Sequence, residues 1–205
     1  MEKVLVTGAT GYIALHCVQQ LLDKGYAVNG SIRSPERKNE IIDALKNSNT
    51  STENLNLFTF NLTSDDGWDA GMEGCDYVLH VASPLALENH TEDYFVKPAV
   101  EGAMRALKFA KKHNVKKVVL TSSVAAIFET GIEKVDYDEN DWSDPDNPKI
   151  SNYAKSKTLA EKAAWDFLDQ EDNPFEFAVI NPALVIGPSL SGDLGVSNFA
   201  IEMVV

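Results

Sequence analysis

Tyr153 and Lys157 stand four residues apart in the run Ser151-Asn152-Tyr153-Ala154-Lys155-Ser156-Lys157. A phenol with an ordinary pKa of about 10 exchanges protons poorly at neutral pH, and a neighbouring ammonium lowers that value by favouring the phenolate. The stretch is rich in alanine, with Ser151 as a candidate N-cap, so it reads as a helix. A spacing of four then sets both side chains on one helix face, while Lys155 looks elsewhere. Of the six tyrosines only Tyr153 has lysine at this offset. The pair suggests acid catalysis. A third element, Thr121-Ser122-Ser123, lies at the carboxyl end of a predicted strand, where a hydroxyl can hydrogen-bond a reacting carbonyl oxygen. Serines also cap strand ends for structural reasons. A serine hydrolase does not fit, because neither serine lies in a G-x-S-x-G elbow and no histidine follows His113.

The N-terminus supplies a second kind of chemistry. Thr7-Gly8-Ala9-Thr10-Gly11-Tyr12-Ile13-Ala14 follows the apolar run Val4-Leu5-Val6. Gly8 can take the angles of a tight strand-to-helix turn, and Gly11, lacking a Cβ, lets the main chain approach a phosphate. Ala14 replaces the third glycine of the motif, where helix and strand pack closely. Ile13, Cys17 and Leu21, flanked by Val18 and Leu22, form an apolar stripe at helical spacing, and Gly25 is a natural stop. A second strand, Tyr26 to Ile32, completes a βαβ unit, the context in which such a turn holds a dinucleotide. After that strand comes Ser31-Ile32-Arg33-Ser34-Pro35-Glu36-Arg37. The acid that would bind the ribose hydroxyls of NAD is absent, and Arg33 and Arg37 offer guanidinium forks to a 2′-phosphate, which favours NADP(H). The alternative is a pair of surface arginines, one engaged by Glu36.

These groups need a scaffold to bring them together. Strands are predicted at Val4–Thr7, Tyr26–Ile32, Leu55–Phe60, Tyr77–Ala82, Lys117–Thr121 and Phe177–Ile180, several apolar throughout as buried parallel strands are. Helices are predicted at Tyr12–Leu22, Glu36–Lys46, Val100–Lys112 and Ser151–Asp169, with a short one near Asp65–Ala70. The alternation predicts an α/β fold with a doubly wound parallel sheet whose ligand sits at the carboxyl ends of the strands. No internal repeat is present. From Pro188 to Gly195 the chain reads as irregular, before an apolar finish from Phe199 to Val205.

Composition narrows the partners. The 205 residues are 44% hydrophobic, enough for one core, and carry a net charge of −13. Nucleic acid and acidic membrane surfaces are disfavoured by that charge, as their phosphates would be repelled. Six acidic residues between Asp136 and Asp146 read as a solvated loop without EF-hand spacing. Lys111, Lys112, Lys116 and Lys117 fall at a helix end and read as structural. Four scattered histidines and two cysteines, Cys17 and Cys75, indicate neither a metal site nor a disulfide framework. No signal-like apolar region or membrane-length run occurs, so a cytoplasmic protein is expected and the sequons at Asn49, Asn61 and Asn89 carry little meaning.

Taken in order, these motifs resemble the extended short-chain dehydrogenase/reductase superfamily, particularly its dihydroflavonol 4-reductase, cinnamoyl-CoA reductase and fungal methylglyoxal reductase branch. The similarity includes Leu79-His80-Val81-Ala82-Ser83-Pro84, Val118-Val119-Leu120-Thr121-Ser122-Ser123, Tyr153 through Trp165, and Asn181-Pro182-Ala183-Leu184-Val185-Ile186-Gly187-Pro188. The resemblance implies a Rossmann fold and an NADPH-dependent reductase of an aldehyde, ketone or dihydroflavonol-like carbonyl. By it, Ser123 orients the carbonyl, Tyr153 donates the proton, and Lys157 lowers the tyrosine pKa while holding the nicotinamide ribose. Cofactor contacts are implied for Gly8, Ala9, Thr10, Gly11, Tyr12, Ile13, Arg33, Arg37, Asn61, Leu62, Ala82, Pro182 and Val185. Asn61 replaces an aspartate common in relatives near the adenine. Residues 1–187 would form the cofactor domain and 188–205 the start of a substrate-binding segment, most of which relatives carry further on. Pro84–Leu87, Val124–Phe128 and the residues after Gly187 would line the substrate pocket, in a monomer or homodimer. Two readings compete: an NAD-dependent nucleotide-sugar epimerase or dehydratase, and a non-catalytic NADP(H)-sensing regulator. The absence of an acid after the second strand weighs against the first, and the Tyr153/Lys157 pair against the second.

Overall fold

The computed structural model describes residues 1–86, 90–130, 134–172 and 174–202, with backbone alone for 199–202. Leu87, Asn89 and the last residues, 203–205, lie outside the described residues. Six parallel strands, β1 (Lys3–Val6), β2 (Ala27–Ile32), β3 (Leu55–Thr59), β4 (Tyr77–His80), β5 (Lys117–Thr121) and β6 (Glu176–Ile180), form one sheet in the order β3-β2-β1-β4-β5-β6. That is the doubly wound order of dinucleotide-binding sheets, with a crevice where the winding reverses between β1 and β4. Seven helices are described: α1 (Tyr12–Asp23), α2 (Lys38–Asn47), α3 (Trp68–Met72), α4 (Glu92–Lys112), α5 (Ala125–Phe128), α6 (Asn152–Gln170) and α7 (Gly195–Glu202).

Strand alternation divides the core between the two faces of the sheet. Val4 and Val6 of β1 join Leu15, Val18, Ile41 and Leu45 on one face, whereas Leu5 joins Trp68, Val78, Ala103 and Val118 on the other. α4 and α6 pack along each other through alanines, including Ala103, Ala106, Ala160 and Ala164, all buried. Small side chains let the two helices approach closely, which brings the face of α6 that carries Lys157 against the sheet.

Three departures from the sequence reading have physical causes. α4 begins at Glu92, eight residues before the predicted Val100, and contains Pro98 in its interior. An interior proline costs about 3 kcal/mol relative to alanine, which argues for a later start. Burial of Phe95, Ala99 and Ala103 around it offsets that cost. The segment after β2 starts as a 3₁₀ turn, Pro35–Arg37, before α2 proper. The deepest residues of α1 are Ala14, Leu15 and Val18, with Cys17, Leu21 and Leu22 at the margin of the core.

Candidate active site

Parallel pairing places all six carboxyl ends on one edge, and the predicted groups gather there. Thr7, fully buried, leads from β1 into the glycine turn. Its hydroxyl oxygen accepts the Val81 and Ala82 N–H groups at 3.0 Å each, which fills both lone pairs. Its proton therefore goes to Nδ1 of His80, 3.0 Å away, and His80 is the Nε2–H tautomer. Burial, with a smaller push from the Lys157 charge, holds the His80 pKa down at about 3, so the ring is neutral. Gly8 has φ +69, and a Cβ there would lie 3.0 Å from that of Ala82. The turn is braced by β2: the Gly8 N–H donates to Ser31 Oγ and the Ala9 N–H to the Ser31 carbonyl, both at 2.8 Å. Gly11 caps α1 without a side-chain acceptor, and the first helical turn holds no acid. The leading N–H groups, at Tyr12 and Ile13, are thus left for an anion such as a pyrophosphate.

Two arginines flank this turn unequally. Arg33 is exposed, and no hydrogen bond or ion pair engages it among the described residues. Arg37 donates to Glu40 through Nε and Nη2, at 2.7–3.1 Å, and to the Thr10 hydroxyl through Nη1 at 3.0 Å. The more solvated arginine is Arg33, opposite to what their distances from the strand suggest. Glu36 accepts from Ser34 rather than pairing with an arginine. Asn61 folds into a local turn, its Oδ1 accepting the Thr63 N–H at 2.7 Å and the Thr63 hydroxyl at 2.9 Å. Leu62 packs over Gly102, and its carbonyl accepts from Arg105 at 2.7 Å.

The third group spans β5, α6 and the segment after β6. Ser151 caps α6 through the Ala154 N–H at 3.1 Å, and Glu129 in turn accepts from the Ser151 N–H and hydroxyl. Tyr153 is half-buried and edge-on to Phe95, with the Ser123 side chain beside its phenol. The Ser123 hydroxyl accepts the Ala125 N–H at 3.1 Å and faces the Pro182 carbonyl at 3.5 Å. Ser122 lies behind it with a buried hydroxyl that has no hydrogen-bond partner among the described residues. Val185 is fastened to Ser197 at 3.3 Å, so the segment after β6 turns back on itself. Exposed Leu85, Phe128, Leu184 and Ile186 border this edge on the segments after β4, β5 and β6.

Electrostatics here differ from the simple pairing of a phenol with an ammonium. Lys157 donates to the Thr121 carbonyl at 3.1 Å, and its Nζ is 5.8 Å from the centroid of the Tyr153 ring. Burial raises the Tyr153 pKa, and the group that pulls it back is Ser123. Burial also lowers Lys157 to about 8, opposed by Glu161. In this arrangement the Lys157 ammonium is directed at the Thr121 carbonyl. Thr7, Ser31, Glu161 and Asn181 are structural parts of the site that motif reading did not single out. Glu161 alone had a local signal, since it lies one turn beyond Lys157 on the same helix.

The charged clusters outside the site are structural. Lys112 pairs with Asp69, Lys116 with Asp76 and Lys117 with Glu176, at 2.7–3.3 Å, and Lys111 with Glu171. Ser143, fully buried, pins the acidic loop to α5 through the Ala125 carbonyl at 2.8 Å. Among the described residues no group of three or more His, Cys, Asp or Glu is placed to hold a metal, and no helix is long and apolar enough to cross a membrane.

Residues 4–204 match the NAD dependent epimerase/dehydratase family. A cinnamoyl-CoA reductase of Medicago truncatula is 40% identical over 205 residues, covering 97% of this chain and 62% of that protein. Dihydroflavonol 4-reductase of Arabidopsis thaliana is 38% identical over 197 residues, covering 93% of this chain and 51% of the relative. The chain thus spans about half to three-fifths of these relatives. Among solved structures, alfalfa vestitone reductase superposes with a TM-score of 0.81 at 34% identity, covering 96% of this chain and 61% of that one. Yeast methylglyoxal/isovaleraldehyde reductase, solved with NADPH, gives 0.79 at 31% identity, covering 91% and 59%.

Proposed function

The chain belongs to the NAD-dependent epimerase/dehydratase family, in the branch of the dihydroflavonol, cinnamoyl-CoA and methylglyoxal reductases, and from that premise we propose that it is an NADPH-dependent carbonyl reductase with Tyr153 as proton donor. The observation that carries this reading is the place of Tyr153 beside Ser123, the side chain that draws its pKa back down, at the sheet edge that also holds the glycine turn. The turn suits a dinucleotide: a side chain at Gly8 would crowd Ala82, and the start of α1 has no cap of its own. Residues 8–13 would hold the pyrophosphate, Arg33 the 2′-phosphate, with Asn61, Leu62 and Ala82 along the adenosine side. Lys157, Pro182 and Val185 would hold the nicotinamide end. Arg37 then acts mainly by steadying Thr10.

Bound NADPH supplies a hydride to the carbonyl carbon. The protein's part is to hold the carbonyl oxygen between Ser123 and Tyr153 and to deliver a proton from the tyrosine hydroxyl, so that the carbonyl becomes an alcohol. A pKa raised by burial suits this direction of transfer, because the phenol stays protonated until the oxygen gains charge. Residues 1–187 serve as the cofactor domain, and the segment from 188 onward as the beginning of the substrate side. The test is NADPH oxidation across a panel of aldehydes and ketones, with cofactor binding followed by fluorescence. Tyr153→Phe should bind NADPH like the wild type and lose about 10²–10⁴-fold in turnover. Unimpaired turnover removes Tyr153 from the reaction.

A further inference from the structure

Lys157 and Glu161 lie one turn apart on the inner face of α6, 6% and 7% exposed. Both line a small chamber, about the size of one water molecule, together with His80 and Ser122 among alanines and Leu120. A buried ammonium loses its proton unless something nearby compensates its charge. The groups around Lys157 can be counted. From β4 comes His80, neutral and presenting a donor. From β5 and the residue after it come Leu120, Thr121 and Ser122, from the segment after β4 Ala82 and Ser83, and from α4 Ala99 and Ala103, none of them charged. From α6 itself come Tyr153 and Glu161. Glu161 is therefore the only acidic side chain of this group, among the described residues. Its carboxylate also accepts from Asn181 Nδ2 at 2.9 Å, and the same amide donates to the Ser123 carbonyl at 3.1 Å.

We propose that Glu161 is the positioning residue of this site: its buried carboxylate is the counter-charge of the Lys157 ammonium and, through Asn181, anchors the strand end that carries Ser123. One acidic group thus couples the lysine to the serine without touching a substrate. The role assigned to Lys157 in the reaction rests on the function proposed above, whereas its coupling to Glu161 does not. With Lys157 at about 8, its charge at neutral pH has a narrow margin, and Glu161 opposes the burial that erodes it.

The experiment is a direct titration of Lys157 by ¹³Cε NMR of the unliganded chain, its resonance assigned with Lys157→Arg. Glu161→Gln keeps an oxygen for the Asn181 amide and removes the charge. Its Lys157 midpoint should fall by about one pH unit or more. Glu161→Asp, which withdraws the charge by one methylene, should show a smaller fall, and it carries the test if the glutamine variant does not fold. The pH at which NADPH affinity weakens should move with the midpoint, a response that loss of packing alone does not give. An unchanged midpoint in folded Glu161→Gln, or in Glu161→Asp standing in for it, overturns the proposal. Absence of NADPH binding by the wild type, with the midpoint shift present, supports the coupling and overturns the reductase reading instead.

Discussion

Replacing Thr7 by valine removes one hydroxyl and almost no volume, so its cost isolates the hydrogen bonds. That hydroxyl serves three partners: the Val81 and Ala82 N–H groups and His80 Nδ1, all at 3.0 Å. A buried polar group left without a partner costs about 1–3 kcal/mol, and the contact with His80 is fully buried while the two backbone donors are partly so. Water can reach the backbone donors in part, which places the expected loss at about 3 kcal/mol rather than at the sum of three maxima. Tautomer exchange does not rescue His80, because Nδ1 then becomes a donor facing a methyl group. Thr7→Ser keeps the hydroxyl and loses a methyl, for about 1 kcal/mol. Urea unfolding followed by tryptophan fluorescence measures both variants, with the slope of the transition checked for constancy. A valine variant within about 1 kcal/mol of wild type, or a serine variant that suffers as much, refutes the assignment of three bonds to this oxygen.

The same histidine sets an acid limit. His80 has a pKa of about 3 in the fold against 6.5 ordinarily, so between those values the unfolded chain binds a proton that the native chain refuses, and stability falls as pH falls. The contribution approaches about 4 kcal/mol at the acid end of that window, and His80→Gln should flatten this part of a stability-against-pH curve; an unaltered slope contradicts it. For the cofactor, Arg33→Ala should weaken NADPH by about tenfold or more and leave NADH nearly unchanged, since a charge-assisted hydrogen bond is worth about 1.5–3 kcal/mol. Arg37→Ala should weaken both cofactors, because it releases Thr10 in the turn they share; titration of the two dinucleotides against each variant decides, and equal losses in Arg33→Ala end the 2′-phosphate assignment. Gly8→Ala should destabilise the fold by about 1–2 kcal/mol from its left-handed backbone alone, with more from the contact to Ala82, and a variant of wild-type stability refutes the strain.

What could be read from the chain depended on how far a residue's partners lie along it. β5 runs from Lys117 to Thr121 as its apolar run predicts, and Gly8 adopts the conformation its turn demands, because both are decided locally. Thr7 carries no such mark. Its meaning comes from His80, 73 residues away, and Ser31 acquires its role from Gly8, 23 residues away. α4 was obscured by Pro98, a strong local signal overruled by burial. Arg33 and Arg37 were visible as cations near a phosphate-binding turn, but only Glu40 and Thr10 reveal that one fork is already engaged. Tyr153 and Lys157 fall on one helix as their spacing requires, yet the lysine reaches toward Thr121, because a side chain four carbons long chooses its own acceptor.

The central position of β1 has a bearing on how the chain reaches its native state. β1 pairs with β2, a short distance ahead, and with β4, whose Tyr77 aligns with Val4. During synthesis the first strand, helix and second strand can associate early, but one border of β1 stays unsatisfied until the fourth strand has left the ribosome. The contacts closing that border are of long sequence range, which slows folding and prolongs exposure of apolar strand. Chaperone demand should therefore be greatest before β4 is available and should drop once the β1–β4 seam has closed.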